Sequence, residues 1–166
     1  MTALARRELL RGRLRGRRAP PRPPWALPEA VFAERCDGCR ACVEACPEGV
    51  LAAGWSGVPH VDFTRGECTF CAACVRACDR GALDGSRPQP WALRARVGEA
   101  CLARRGVACG ACVDACGPLA LALRPAPGGI ALPEVDMRAC TGCGACVAPC
   151  PTGAIEVREL VEEAEA

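Results

Sequence analysis

Aromatic residues are scarce in this 166-residue chain, which has three tryptophans, three phenylalanines and no tyrosine. So few large rings leave only a thin side-chain core, and small units of that kind usually need a staple such as a metal or a disulfide. There is a single histidine, His60, on a stretch that reads as a strand and suits a surface or packing role better than a catalytic one. No phosphate loop, dinucleotide fingerprint or nucleophile beside a base is present, so the chain is not expected to be an enzyme turning over its own substrate. Long apolar runs are also missing. Leu9 and Leu10 are followed at once by Arg11, Gly12 and Arg13, so the apolar stretch of a secretory signal does not form. Nothing approaches the roughly 20 apolar residues of a membrane span. A cytoplasmic protein is expected, and in that reducing compartment clustered thiols mean metal rather than disulfides.

Cysteine is what the chain has in excess, with 16 residues. Cys140, Cys143, Cys146 and Cys150 are followed by Pro151, the cysteine spacing of two, two and three residues and then proline that marks bacterial iron-sulfur loops. Cys36, Cys39, Cys42, Cys46 and Pro47 repeat it. Cys68, Cys71, Cys74 and Cys78 repeat it with Asp79 in place of proline. The remaining four, Cys101, Cys109, Cys112 and Cys116, open with a gap of seven residues that holds Arg104 and Arg105, and Gly117 follows the last. Those two arginines could steer an acidic partner, but solvation of the loop is the favoured reading.

Three cysteines at i, i+3 and i+6 can wrap one compact cube only if the backbone coils tightly, which Gly142 and Gly144 permit. The fourth cysteine sits beyond the loop and ligates the neighbouring cluster in two-cluster ferredoxins. On that rule Cys36, Cys39 and Cys42 join Cys78, and Cys68, Cys71 and Cys74 join Cys46. In the other half Cys101, Cys109 and Cys112 join Cys150, and Cys140, Cys143 and Cys146 join Cys116. The expected cofactors are therefore four 4Fe-4S clusters, which pass single electrons and whose potentials are tuned by hydrogen bonds to sulfur and by solvent access. Zinc is the competing metal, because Cys-x2-Cys pairs also make tetrahedral sites. A third thiolate three residues further on argues against it.

The first cysteines of the motifs, at 36, 68, 101 and 140, mark an internal repeat. Short apolar runs follow each motif, and 58–63 and 129–135 read as short strands before the second and fourth. The expected fold is α+β, two tandem bacterial two-cluster ferredoxin-like modules of pseudo-twofold βαβ form with loop-rich cluster sites. Its expected divisions are a basic, proline-rich arm (1–28), a first module (29–86), a linker (87–98), a second module (99–158) and an acidic tail (159–166). Met1 to Arg18 reads as a short helix weakened by Gly12 and Gly16, with Trp25 as an anchor for the connector behind it. Glu156 to Ala166 reads as a frayed acidic helix.

Charge divides with the arm. Residues 1–28 hold eight arginines and one acid, a net of +7, whereas the remainder holds thirteen arginines and eighteen acids, a net of −5. Solvation alone, nucleic acid and anionic lipid are all open to such an arm. The absence of interleaved aromatics before Trp25 speaks against nucleic acid, and the small apolar face against membrane. A protein partner for Arg6, Arg7, Leu9, Leu10 and Arg13 is the sharper hypothesis.

Arg6-Arg7-x-x-Leu10-x-Gly12-Arg13, then Arg22-Pro23-Pro24-Trp25, the four motifs and the long gap from Cys101 to Cys109 together resemble the NapF family of ferredoxin-type proteins associated with periplasmic nitrate reductase. The resemblance implies a cytoplasmic polyferredoxin that meets the unexported precursor of the nitrate reductase catalytic subunit and assists an iron-sulfur or redox step of its maturation. A redox donor would be a second partner. The alternative is a general electron-transfer ferredoxin between a reductase and an acceptor. Gly117 and Asp79 depart from the general ferredoxin pattern.

Overall fold

Residues 20–159 are described by the computed structural model. Arg6, Arg7, Leu10 and Arg13, the candidate partner-binding residues, lie outside them, as do residues 160–166.

The regular elements are short. In order they are helix α1 (Glu29–Arg35), helix α2 (Ala41–Glu44), strands β1 (Leu51–Ala53) and β2 (Pro59–Val61), helix α3 (Ala73–Arg76), strand β3 (Leu93–Val97), a 3-10 turn (Ala103–Arg105), helix α4 (Ala111–Asp114) and strands β4 (Leu121–Arg124), β5 (Leu132–Val135) and β6 (Ile155–Glu159). Each of α2, α3 and α4 begins between two cysteines of a motif and lasts one turn. The strands form three antiparallel pairs, β1 with β2, β3 with β6, and β4 with β5. Pro59 and Pro133 are tolerated within strands because every strand of a two-stranded ladder has an open edge.

Both halves share one connection order. The strand that leaves the first motif of a half pairs with the strand that enters the second, Leu51 opposite Val61 and Leu121 opposite Val135. The outer segments pair in turn. In the second half this is β3 with β6, and in the first it is a single bridge between Ala26 and Leu83. The proline-rich stretch thus lies against the body, with the Leu27 N–H donating to the Ala82 carbonyl at 3.1 Å and the Val61 N–H to the Pro21 carbonyl at 2.8 Å. Trp25, at φ 61°, donates its N–H to the Pro90 carbonyl at 2.7 Å and accepts the Asp84 N–H at 2.8 Å.

Two stretches differ from expectation. Glu156 to Glu159 is not helical, because Ile155 and Val157 alternate inward and the five-residue ladder with β3 satisfies the backbone. Leu93–Val97, inside the stretch expected as a linker, is that partner strand. Leu93 and Ala95 are buried while Arg94 and Arg96 point outward, a period of two.

One apolar cluster runs through both halves and includes Phe32, Leu51, Val61 and Phe63 from the first and Leu93, Ala95, Leu121 and Ile155 from the second. Where the halves meet, Phe63, Trp91, Phe70 and Trp25 stand edge to face in succession, with centroids 5.9, 5.4 and 6.4 Å apart. Phe32 on α1 is 1% exposed and carries the Arg22 guanidinium 5.0 Å over its ring. Arg22 is held in turn by Glu29 at 2.7 Å. In so thin a core one ring counts heavily. Phe32→Ala is expected to destabilise the fold by about 3 to 5 kcal/mol, checked by the shift in denaturation midpoint.

Candidate functional site

The cysteine loops owe their shape to paired left-handed residues. In the three regular motifs the second and fourth residues after the first cysteine have positive φ: Gly38 and Arg40, Phe70 and Ala72, Gly142 and Gly144. These reversals turn successive thiols to one side. Glycine is required where the neighbours are close, since a Cβ on Gly142 would run into the Leu93 carbonyl and one on Gly144 into the Phe63 ring. Arg40, Phe70 and Ala72 adopt the same conformation against their preference, at about 1 to 2 kcal/mol each.

Beyond each loop, one helical turn carries the chain onward. Cys42 lies in α2 with Cys46 just after it, Cys74 in α3 with Cys78 after it, and Cys112 in α4 with Cys116 after it. The fourth motif makes the same passage by turns, the Val147 N–H donating to Gly144 and the Cys150 N–H to Val147. In every motif the third and fourth thiols are thereby sent to different places.

Three cavities of closely similar volume result. One of about 330 Å³ is lined by Cys68, Cys71 and Cys74 together with Cys46, and also by Trp25 and Phe70. Another of about 310 Å³ is lined by Cys140, Cys143 and Cys146 together with Cys116. The third, of about 320 Å³, is lined by Cys101, Cys109 and Cys112 together with Cys150. Each takes three thiols from one motif and the fourth from its partner. Around Cys42, the charges that bear on it come from Cys74, Cys78, Cys36 and Cys39. Among the described residues no three or more His, Cys, Asp or Glu side chains are grouped to hold a single metal ion. Four thiols drawn from two motifs around one cavity suit a polynuclear group held at several metal atoms, and the residues present fit a 4Fe-4S cluster.

The irregular motif reaches the same arrangement by another route. The Cys101 N–H donates to the Gly98 carbonyl at 3.2 Å, and the 3-10 turn that follows buries Ala103 beside Cys101 and Ala154. Gly106, at φ 85°, ends the turn and sends the chain back to Cys109. Arg104 pairs with Glu99 at 3.0 Å on the surface, in keeping with a solvated loop. Exposed pairs also tie motifs together, as Arg80 does with Asp37 at 2.8 Å.

Burial sets the protonation of these thiols. It pushes Cys42, Cys68 and Cys74 up to about 11 and Cys146 up to about 12, and neighbouring thiolates add to the effect. Cys112 moves the same way for the same reason. At Cys150 burial also raises the value, but hydrogen bonds from Thr152 and Ala154 outweigh it and the net shift is downward. The Ala154 N–H meets Cys150 Sγ at 3.2 Å, and the Ala120 N–H meets Cys116 Sγ at the same distance.

Composition and spacing did not single out Phe63, Phe70 and Trp91 as neighbours of the site, because isolated aromatics carry no periodic signal. In the sequence Leu119 reads only as the start of the apolar run after the third motif. It sits at φ 55°, where the other motifs place Gly49, Gly81 and Gly153 at 60 to 62°, and it is 83% exposed.

Leu119→Gly is accordingly expected to stabilise the fold by about 1 kcal/mol, since it relieves the left-handed strain and removes no core contact; a denaturation midpoint that falls would contradict this. A second prediction follows from the thiols. Without iron the buried thiols keep their protons at neutral pH, and cluster binding must displace them, so protons compete with iron. Resistance of the loaded chain to an iron chelator should therefore be greater at about pH 8.5 than at about pH 6.5. The cluster-free fold behaves oppositely. Its Cys42, Cys68 and Cys74 ionise at about 11, against 9.0 for the free thiol, so its stability falls as pH rises through that window.

Comparison with known proteins agrees with the geometry. The model of the 4Fe-4S dicluster domain matches twice, over residues 35–82 and 106–154. Ferredoxin-type protein NapF of Escherichia coli is 40% identical over 156 residues, covering 94% of this chain and 95% of that one. The Haemophilus influenzae protein of the same name is 39% identical over 84% of this chain and 79% of its own. Methylamine utilization ferredoxin-type protein MauM of Paracoccus denitrificans is 37% identical over 84% of this chain and 70% of its own. With two dicluster domains in tandem and a likeness that runs almost end to end, this chain belongs to the NapF family of ferredoxin-type proteins.

Proposed function

We propose that this chain is a cytoplasmic polyferredoxin with four 4Fe-4S clusters, which assists an iron-sulfur or redox step in maturing the catalytic subunit of periplasmic nitrate reductase before export. The carrying observation is the cavity lined by three thiols of one motif and the fourth of its partner, repeated three times. The ligand sets are Cys36, Cys39, Cys42 and Cys78; Cys68, Cys71, Cys74 and Cys46; Cys101, Cys109, Cys112 and Cys150; and Cys140, Cys143, Cys146 and Cys116. Clusters so held supply one-electron transfer at low reorganisation. The chain's own part is to hold thiolates at fixed separation, exclude water and aim backbone N–H groups at sulfur.

In this reading each half is a pseudo-twofold module, supported by the repeated connection order of loop, helical turn and strand. The partner is the unexported catalytic subunit, a proposal that rests on the family, and the arginine-rich residues Arg6, Arg7, Leu10 and Arg13 dock it. No helix of the described residues is long and apolar enough to cross a membrane. A second reading is a general electron carrier without a dedicated client. It draws on the likeness to a relative named for methylamine utilization.

Anaerobic co-purification with the nitrate reductase catalytic precursor separates the readings. The full chain should retain the precursor and carry about sixteen irons, four per cube, and a chain lacking residues 1–19 should keep the iron and lose the precursor. The cut is placed before Arg22, because Arg22, Pro23 and Trp25 pack into the body. Iron without retention points to the carrier, and zinc in place of iron would overturn both.

A further inference from the structure

We propose that the junction between the halves is an electron crossing, at which the centre held by Cys68 and the centre held by Cys143 exchange single electrons through the backbone contact of those two residues. The proposal rests on the cluster-binding reading above and goes beyond it, because nothing in that reading requires the two halves to communicate.

The Cys68 N–H donates to the Cys143 carbonyl at 2.8 Å. A path from one thiol to the other therefore runs through the covalent skeleton of two cysteines and a single hydrogen bond. Cys143 is also near enough that its charge is felt at Cys68. The contact is built rather than incidental. Trp91 donates its indole N–H to the Thr141 carbonyl at 3.0 Å, which fixes the loop that carries Cys143. Gly142 has no side chain, so the Leu93 carbonyl packs directly on it, and Gly144 leaves room for the Phe63 ring in the same way. Phe63, Phe70 and Trp91 stand edge to face around the contact. Their packing keeps the junction apolar, so an electron crosses with little rearrangement of solvent.

Within each half the neighbouring centres are already joined, since Cys42 and Cys46 leave one helical turn for different sites, as Cys112 and Cys116 do. The crossing turns two separate pairs into one chain. Its ends are the set with Cys36, Cys39, Cys42 and Cys78 and the set with Cys101, Cys109, Cys112 and Cys150. The step is balanced without a proton. A low-potential one-electron donor reduces a terminal centre, each centre that gives up its electron returns to the oxidised form as its neighbour is reduced, and no bond forms or breaks. Donor and acceptor then dock at the two terminal sets of that chain.

Low-temperature EPR of the full chain, loaded anaerobically and reduced stepwise with dithionite, tests this, with iron and sulfide counted in each sample. The fully reduced spectrum should require four spins coupled in a line. Trp91→Phe keeps a ring at the junction but loses the bond to Thr141, and should weaken the coupling between halves while the coupling within each half and the iron content stay unchanged. Gly144→Ala drives a methyl group into Phe63 and should abolish the cross-half coupling; if that variant does not load clusters, Trp91→Phe decides. A loaded chain whose spectrum is reproduced by two independent pairs, or whose cross-half coupling is the same in Trp91→Phe, overturns the crossing alone. A chain that binds no clusters overturns the cluster reading and the crossing with it.

Discussion

Drawing thiols out of water to common points is the constraint on which this structure depends. Buried thiols do not ionise readily, as the upward shifts of Cys42, Cys68, Cys74 and Cys146 indicate, and a bound cluster is what makes their burial as thiolates favourable. Metal binding and folding are then one free-energy process. Because three of the four motifs give their fourth thiol to a partner's cavity, those cavities are not completed by one motif alone. The thin aromatic core is sufficient because it only has to seal the joints between sites.

Much of the site was legible from cysteine spacing because the spacing is itself a geometric statement. Thiols three residues apart on a coiled loop face one centre, and a fourth one turn later faces another. The sets that line the three cavities could be written down from that rule. The strands flanking the motifs were legible where they alternate or carry runs of Val, Ile and Leu. Less was legible where tertiary context decided. The acidic composition of Glu156 to Glu159 favours a helix, but the ladder offered by Leu93–Val97 is worth more than local preference. Trp25 was expected to anchor the connector. Its left-handed backbone and its place on a cavity wall could not be foreseen, since both come from Asp84, Pro90 and Phe70, which are distant in sequence.

The chain is similar over most of its length to proteins named for different systems, and its interior is organised around the cysteine-lined cavities. The NapF family and the methylamine-utilization relative share most of the length of this chain. The ion pairs seen on the outside, Arg80 with Asp37 and Arg104 with Glu99, are exposed and worth little singly. They trim loops around a geometry that is set elsewhere.

The departures from the regular pattern show what that geometry requires. Asp79 and Gly117 stand where proline follows the other fourth cysteines, yet the turn beyond each is unchanged. The N–H of Gly49 donates to Cys46, that of Gly81 to Cys78, that of Leu119 to Cys116 and that of Gly153 to Cys150, at 2.9 to 3.2 Å. Proline is therefore not what aims the fourth thiol. The turn does so, and it demands a left-handed residue three places on. Glycine meets that demand three times without strain, and at the fourth place an exposed leucine is held in the same conformation at φ 55°. A residue so ill suited stays there because the turn, fixed by the thiol it must deliver, outranks the preference of the side chain.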